Sequence, residues 1–479
     1  MIRKISTLLG FLFCIVTYAQ YDITVKIDGL TCEDELLLAN HFGDKQYLKD
    51  TSECIDGVVH FRGEETLESG VYLIVLPKKT WYEVLISEYE DQTKYSFQAD
   101  TSLNPENMKV SGSKENELFL AFNLFAREQS KIAKGINEKM QAATDEDEKA
   151  KLKKKLYEPG ERVAEKRQEI AKSHPMLFIG KLYNAMGDVN LPETPSSITE
   201  EDDIKTWQYL WLRNHYWDNV DLEEDGLVRS PVFHSKLKGY FDSYMPPLAD
   251  TAIMMADDLI NRIEKSGSKE QYKYSVHYLL GYFEDAKYMC FDKAVWHMAK
   301  NYYCAGKAWW SDSSYVAKMC EESAKMEPTL CEMLAPELVM PDTSLRQRVT
   351  MSAIDKPVTV LIFWDINCGH CKKEMPIVSR QYDSMTNKYH EIYAVYTQGD
   401  WEGWKKRVKE EGYKFINVAN AFGEDKFRNK YNIRTTPQIF ILDKDKNIRF
   451  KKIGAKDIPG TVQYLLEEQG VVPKKEKSE

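Results

Sequence analysis

Residues 357–366 read PVTVLIFWDI, and two cysteines follow at once in NCGHC, at positions 368 and 371. So continuous an apolar run predicts a strand covered on both faces, which belongs inside an α/β layer and not on a half-solvated sheet. The charged stretch from Gly369 onward predicts a helix. The cysteine pair therefore sits at a strand-to-helix junction, and that placement restricts what it can be. A zinc half-site needs a second pair of thiolates or histidines to complete four ligands. The sequence holds no second CxxC and no HExxH. A passive clip across two residues would remove little chain entropy, since that benefit grows with loop length. A peroxidatic cysteine is ordinarily preceded by Pro and Thr, where this chain has Leu361 and Asp365.

Redox chemistry accounts for more of the pattern. With a helix starting near Gly369, Cys368 lies at its N-terminus, where free amides and the positive end of the dipole stabilise a thiolate. His370, inside the motif, adds a second stabiliser when protonated. A stabilised thiolate favours the reduced form and makes the disulfide a stronger oxidant. Cys371, one turn in and more buried, is then the resolving thiol that attacks a mixed disulfide.

The remainder of the chain changes texture twice. From residue 20 to 112 the signal is β: YDITVKID alternates, Asp56-Gly57 marks a tight turn before VVHFRG, and VYLIVLP and WYEVLIS follow at short intervals. These strands predict a small, mainly antiparallel β-sandwich-like domain. From 113 to 333 the period becomes helical, as in Leu118, Phe122 and Phe125 and again in Ile253, Ala256, Ile260 and Ile263. Breaks between helices are expected at Thr144-Asp145 and Ser266-Gly267. The dense aromatics of TWQYLWLRNHYW read as core packing, with a ligand groove as the alternative. From 334 to 470 strands and helices alternate, with a hairpin turning at residues 443–447. The lysine-rich end, 471–479, reads as a disordered tail.

Charge and the N-terminus bound the setting. A formal net charge of −10 over 479 residues argues against a nucleic-acid partner. The basic run KLKKKLYEPGERVAEKR (151–167) carries interleaved Glu and reads as the solvated face of one long helix. MIRK followed by ISTLLGFLFCIVTYA has the layout of a signal peptide over residues 1–19, leaving Gln20 as the first mature residue. No later stretch is apolar enough to span a bilayer, so no integral membrane segment is expected after cleavage. Setting aside Cys14 and the CxxC leaves Cys32, Cys54, Cys290, Cys304, Cys320 and Cys331, which can pair in 15 ways. Neighbours such as Cys32 with Cys54 and Cys320 with Cys331 are the simplest pairings; buried thiols are the alternative.

The segment 334–470 resembles a thioredoxin-fold domain, most similar to the TlpA/ResA-like exported thiol-disulfide oxidoreductases. Phe363-Trp364 precede the CxxC, Pro376 falls five after Cys371, Glu374 sits in a CxxCxxExP pattern, and YNIRTTPQIFILD has the form of the cis-proline loop. The resemblance implies that Thr436 and Pro437 face the cysteines and hold an extended substrate chain, and that Glu374 handles a proton near Cys371. Three departures stand out: Asn367 replaces the usual Trp, Ile362 stands where thioredoxins keep a buried acid, and CGHC matches protein disulfide isomerase. Direction of electron flow is therefore open. The two upstream segments resemble uncharacterised domains found ahead of such domains in bacterial envelope proteins.

The expectation is a periplasmic thiol-disulfide oxidoreductase, multi-domain, without metal or cofactor. Cys368 and Cys371 are its catalytic pair, His370 and Glu374 modulate, and Thr436 and Pro437 bind substrate. Its partners would be protein thiols and disulfides of the envelope and a redox partner. The alternative is a non-enzymatic envelope docking protein with a vestigial CxxC.

Overall fold

Alternation along Tyr21–Asp28 buries Tyr21, Ile23, Val25 and Ile27 and leaves the residues between them more exposed, the period-two pattern of a strand with one face in a core. In the computed structural model this strand is central to a five-stranded sheet. Its order is Glu53–Ile55, Val58–Gly63, Tyr21–Asp28, Ser96–Asp100, Lys109–Ser111. A second sheet runs Lys45–Thr51, Leu37–Phe42, Gly70–Val75, Trp81–Ile86. Ile23, Val25 and Phe61 from the first sheet share one core with Leu38, Ile74 and Val84 from the second, so the two form a sandwich. Pairing is antiparallel except between Tyr21–Asp28 and Ser96–Asp100, which is parallel. The structure describes residues 19–31, 33–55, 58–384, 388–423 and 425–474. The signal peptide (apart from Ala19), the Asp56-Gly57 turn and Cys32 therefore lie outside the described residues.

Helices follow from Ser113, whose side chain accepts from the Asn116 amide and caps Lys114–Ala142. The basic run does not form the one long helix expected. It divides into Glu146–Lys155 and Glu158–Ser173, because Pro159 lacks an amide hydrogen and is accommodated only in a first turn. Ala249–Ser266 ends where expected, at Gly267 with φ +90°. Trp217 is buried against Phe233 and Tyr240, so that part of the aromatic cluster is core. The described chain divides into two compact units: one ends at Tyr244 and includes Asn261–Tyr274, the other comprises Met245–Ile260 and Ser275 onward.

The second unit is built on a five-stranded sheet ordered Ile416–Ala419, His390–Tyr396, Val358–Trp364, Gln438–Leu442, Ile448–Lys451. The first three strands are mutually parallel, Gln438–Leu442 runs antiparallel to them, and Ile448–Lys451 runs antiparallel to Gln438–Leu442. All seven residues of Val358–Trp364 are buried. Val358, Val360, Ile362 and Trp364 enter one core with helices Gly369–Ser384 and Ile458–Glu468. Leu361 and Phe363 enter a second with Leu338, Met340, Phe427 and Tyr431. Successive side chains of a strand point to opposite faces, so a strand packed on both must be apolar throughout. Val471 and Val472, assigned to the tail by the sequence, pack against the first of these cores.

The cysteines of this unit pair by position in space and not by nearness in sequence. Cys290 joins Cys331 and Cys304 joins Cys320, which corrects the Cys320–Cys331 pairing. Cys320 lies on the helix Ser313–Met326, which packs beside the turn Ala299–Tyr303 leading to Cys304. Cys331, past the turn Glu327–Thr329, is buried in the second core. Cys54 is also disulfide-bonded.

Candidate active site

The Val358–Trp364 strand ends at Asp365, whose carboxylate accepts the Asn367 amide at 2.9 Å and turns the chain. The Cys368 carbonyl then accepts the Lys372 amide at 3.0 Å, the first bond of the helix Gly369–Ser384. Cys368 is thus at the helix N-terminus, half-buried, while Cys371 is fully buried one turn in. Both are free thiols. The Cys368 Sγ donates to the Thr436 carbonyl at 3.1 Å, and the Thr436–Pro437 peptide is cis. The Asp365 amide donates to the Cys371 Sγ at 3.4 Å.

These surroundings make the two sulfurs chemically unequal. Burial opposes ionisation of Cys368, yet its pKa lies below the ordinary thiol value. The Cys371 amide, the Thr436 side chain, the Cys371 thiol and the His370 amide together outweigh burial by stabilising the thiolate. Burial pushes Cys371 up to about 12, with the neighbouring Cys368 sulfur adding to the rise and the Asp365 amide opposing it.

The other sequence candidates fall at different distances from this pair. Thr436 meets it directly through the contact of its carbonyl with Cys368, and Pro437 follows across the cis peptide bond. His370 is exposed on the first turn. Glu374 is half-buried, and its Oε2 accepts the Ala455 amide at 2.7 Å; among the described residues it makes no hydrogen bond to Cys371. The Glu374 carboxylate therefore ties the cysteine helix to the turn after the last strand. Ile362 is buried in the first core and Asn367 is exposed. Sequence reasoning missed two contributors. Asp365 shapes the turn and supplies the amide facing Cys371, and an Asp closing an apolar run is a turn signal that could have marked it. Arg434, just before the Thr435-Thr436-Pro437 loop, forms an ion pair with Glu322 of the helix Ser313–Met326, a contact no local pattern announces.

A family model described as thioredoxin-like matches residues 356–448. Two others, each described as a domain of unknown function, match residues 21–119 (DUF4369) and 142–325 (DUF5106). No curated protein matches the chain. Among solved structures, a domain of a "possible thiol-disulfide isomerase" from Cytophaga hutchinsonii is 27% identical, covering 30% of this chain and 97% of its own, with a TM-score of 0.28. The thioredoxin domain of a thiol-disulfide oxidoreductase from Bacteroides vulgatus is 24% identical over 28% of this chain and 96% of its own, with a TM-score of 0.27. A thioredoxin-like protein from Bacteroides caccae is 16% identical over 58% of this chain and 98% of its own, with a TM-score of 0.42. The thioredoxin-like match spans the strand, the thiol pair and the cis-proline loop together, and the C-terminal part of this chain has a thioredoxin-like fold, preceded in sequence by β-rich and helical domains.

Proposed function

We propose that the chain is an exported oxidoreductase that exchanges disulfides with protein partners of the bacterial envelope through Cys368 and Cys371. The observation that carries this is the inequality of the two thiols: an accessible one with lowered pKa beside the cis-proline loop, and a buried one held as thiol. Cys368 is the sulfur that attacks, or is attacked by, the partner. Cys371 resolves, attacking Cys368 from within the helix once its proton has left. Glu374 Oε1 accepts no hydrogen bond from the Ala455 amide, and we assign it the role of taking that proton. The Thr436 carbonyl and Pro437 offer a backbone edge to an extended substrate chain, and His370 tunes the stability of the reduced form.

Export rests on the signal-peptide layout of residues 1–19. Among the described residues no helix is long and apolar enough to cross a membrane. The test is to express Cys371→Ser in a host envelope and recover mixed disulfides. Adducts bound specifically to Cys368, absent from the Cys368→Ser/Cys371→Ser double variant, support the assignment and identify the partners. No adducts, together with failure of the unaltered protein to reduce insulin, would leave the docking-protein alternative. The reduction potential of the pair then sets the direction of flow.

A further inference from the structure

The redox centre has one flank on which cations are left without partners. Lys372 and Lys373 follow Cys371 directly on the helix, and both are exposed. The Glu374–Ala455 hydrogen bond brings that helix against the turn carrying Lys452 and Lys456, also exposed. The same turn is tied to the cis-proline loop, since the Lys452 amide donates to the Ile439 carbonyl two residues beyond Pro437. Among the described residues none of these four lysines forms an ion pair. Elsewhere Lys166, Lys205, Lys325 and Lys405 each meet a carboxylate three or four residues away on their own helix. Of the two acids within the flank, the half-buried Glu374 accepts the Ala455 amide at 2.7 Å and the exposed Asp457 accepts the Gly454 amide at 3.3 Å.

We infer that this lysine flank docks an acidic polypeptide segment beside the disulfide to be exchanged. The inference rests on the oxidoreductase assignment and narrows its substrate class. In a chain of net charge −10 the attraction is local, so it orients an acidic partner over Cys368 and does not merely concentrate it. A peptide disulfide can be used to follow it. The Cys368 thiolate attacks one peptide sulfur, forming a mixed disulfide and releasing the other sulfur as thiolate. The Cys371 thiolate then attacks Cys368 Sγ, closing the Cys368–Cys371 disulfide and releasing the second peptide thiolate. Two electrons pass from the protein dithiol to the peptide, and its two thiolates take up the two protons the dithiol gave up.

The experiment compares second-order oxidation rates of the reduced chain by three probes: one peptide disulfide flanked by Glu, the same peptide flanked by Lys, and neutral hydroxyethyl disulfide. The acidic peptide should react about fivefold faster than the basic one at low ionic strength, and the gap should close at about 0.5 M salt, where the Debye length falls below the spacing of the charges. In Lys372→Glu/Lys373→Glu, and separately in Lys452→Glu/Lys456→Glu, the ratio between the two peptides should fall or invert. Equal peptide rates, with hydroxyethyl disulfide still reacting, would overturn the docking surface and leave the oxidoreductase assignment intact. A ratio unchanged in both charge-reversed variants would do the same. So would binding to phosphatidylglycerol vesicles without peptide preference, because the lysines would then serve a membrane. A chain inert to hydroxyethyl disulfide as well would sink the assignment and the docking surface together.

Discussion

Isolating each active-site thiol gives the sharpest check on the inequality between them. Cys368→Ser leaves Cys371 alone in its buried position, and Cys371→Ser leaves Cys368 alone at the helix N-terminus. With its pKa pushed up to about 12, mainly by burial that Cys368→Ser leaves in place although the smaller share from the Cys368 sulfur is lost, Cys371 at about pH 7.5 should be ionised in at least roughly one molecule in 30,000, whereas an ordinary cysteine would be ionised in about one in ten. Thiolate population alone thus slows Cys371 by roughly 3,000-fold. A more basic thiolate is intrinsically more nucleophilic, with a Brønsted slope of about 0.4–0.5, which recovers roughly 25- to 50-fold. The net expectation is alkylation of Cys371 by iodoacetamide about a hundredfold slower than a free cysteine, before any steric hindrance. Cys368 should ionise at lower pH than a free cysteine, so its rate levels off early, while the Cys371 rate is still climbing at about pH 10. Mass-spectrometric counting of alkylated chains against time at several pH values reads both. If Cys371 in Cys368→Ser reacted as fast as Cys368, or levelled off near the ordinary thiol pKa, burial would not be controlling the pair and the division of roles would fall.

Other outcomes follow from the same contacts. Glu374→Gln keeps an acceptor for the Ala455 amide but cannot take a proton; release of substrate from the Cys368 mixed disulfide should slow by roughly a hundredfold in stopped-flow thiol release, and an unchanged rate would confine Glu374 to positioning. Lys451, buried on the last strand, is paired with Asp292 and donates to the Thr329 carbonyl. Asp292→Ala should therefore strand a buried ammonium and cost about 3–5 kcal/mol in urea unfolding, much of it recovered by adding Lys451→Met. The Cys290–Cys331 bridge spans 41 residues and Cys304–Cys320 spans 16. By loop entropy, converting the first pair to Ser should cost about 4 kcal/mol and the second about 3, read from urea midpoints without reductant.

What the sequence determined by itself was whatever local pattern can encode. The run within 357–366 read as a two-faced strand, because apolar side chains occupy both faces of Val358–Trp364. Alternation in Tyr21–Asp28, the helical stripes and the Gly267 stop were legible for the same reason: each is a periodicity or a backbone preference written in consecutive residues. Cys368, Cys371 and the Thr436-Pro437 loop were legible as candidates from their spacing and resemblance. The folded chain decided the rest. Pro159 divided a helix that charge pattern alone had joined. Cys331 found Cys290 and not the nearer Cys320, because disulfides form between sulfurs adjacent in space. Glu374 found the Ala455 amide, 81 residues along the chain. Most of all, the size of the difference between the two thiols is tertiary. A helix starting near Gly369 already ranked them in the sequence; the core closing over Cys371 and the amides gathered around Cys368 set their acidities apart.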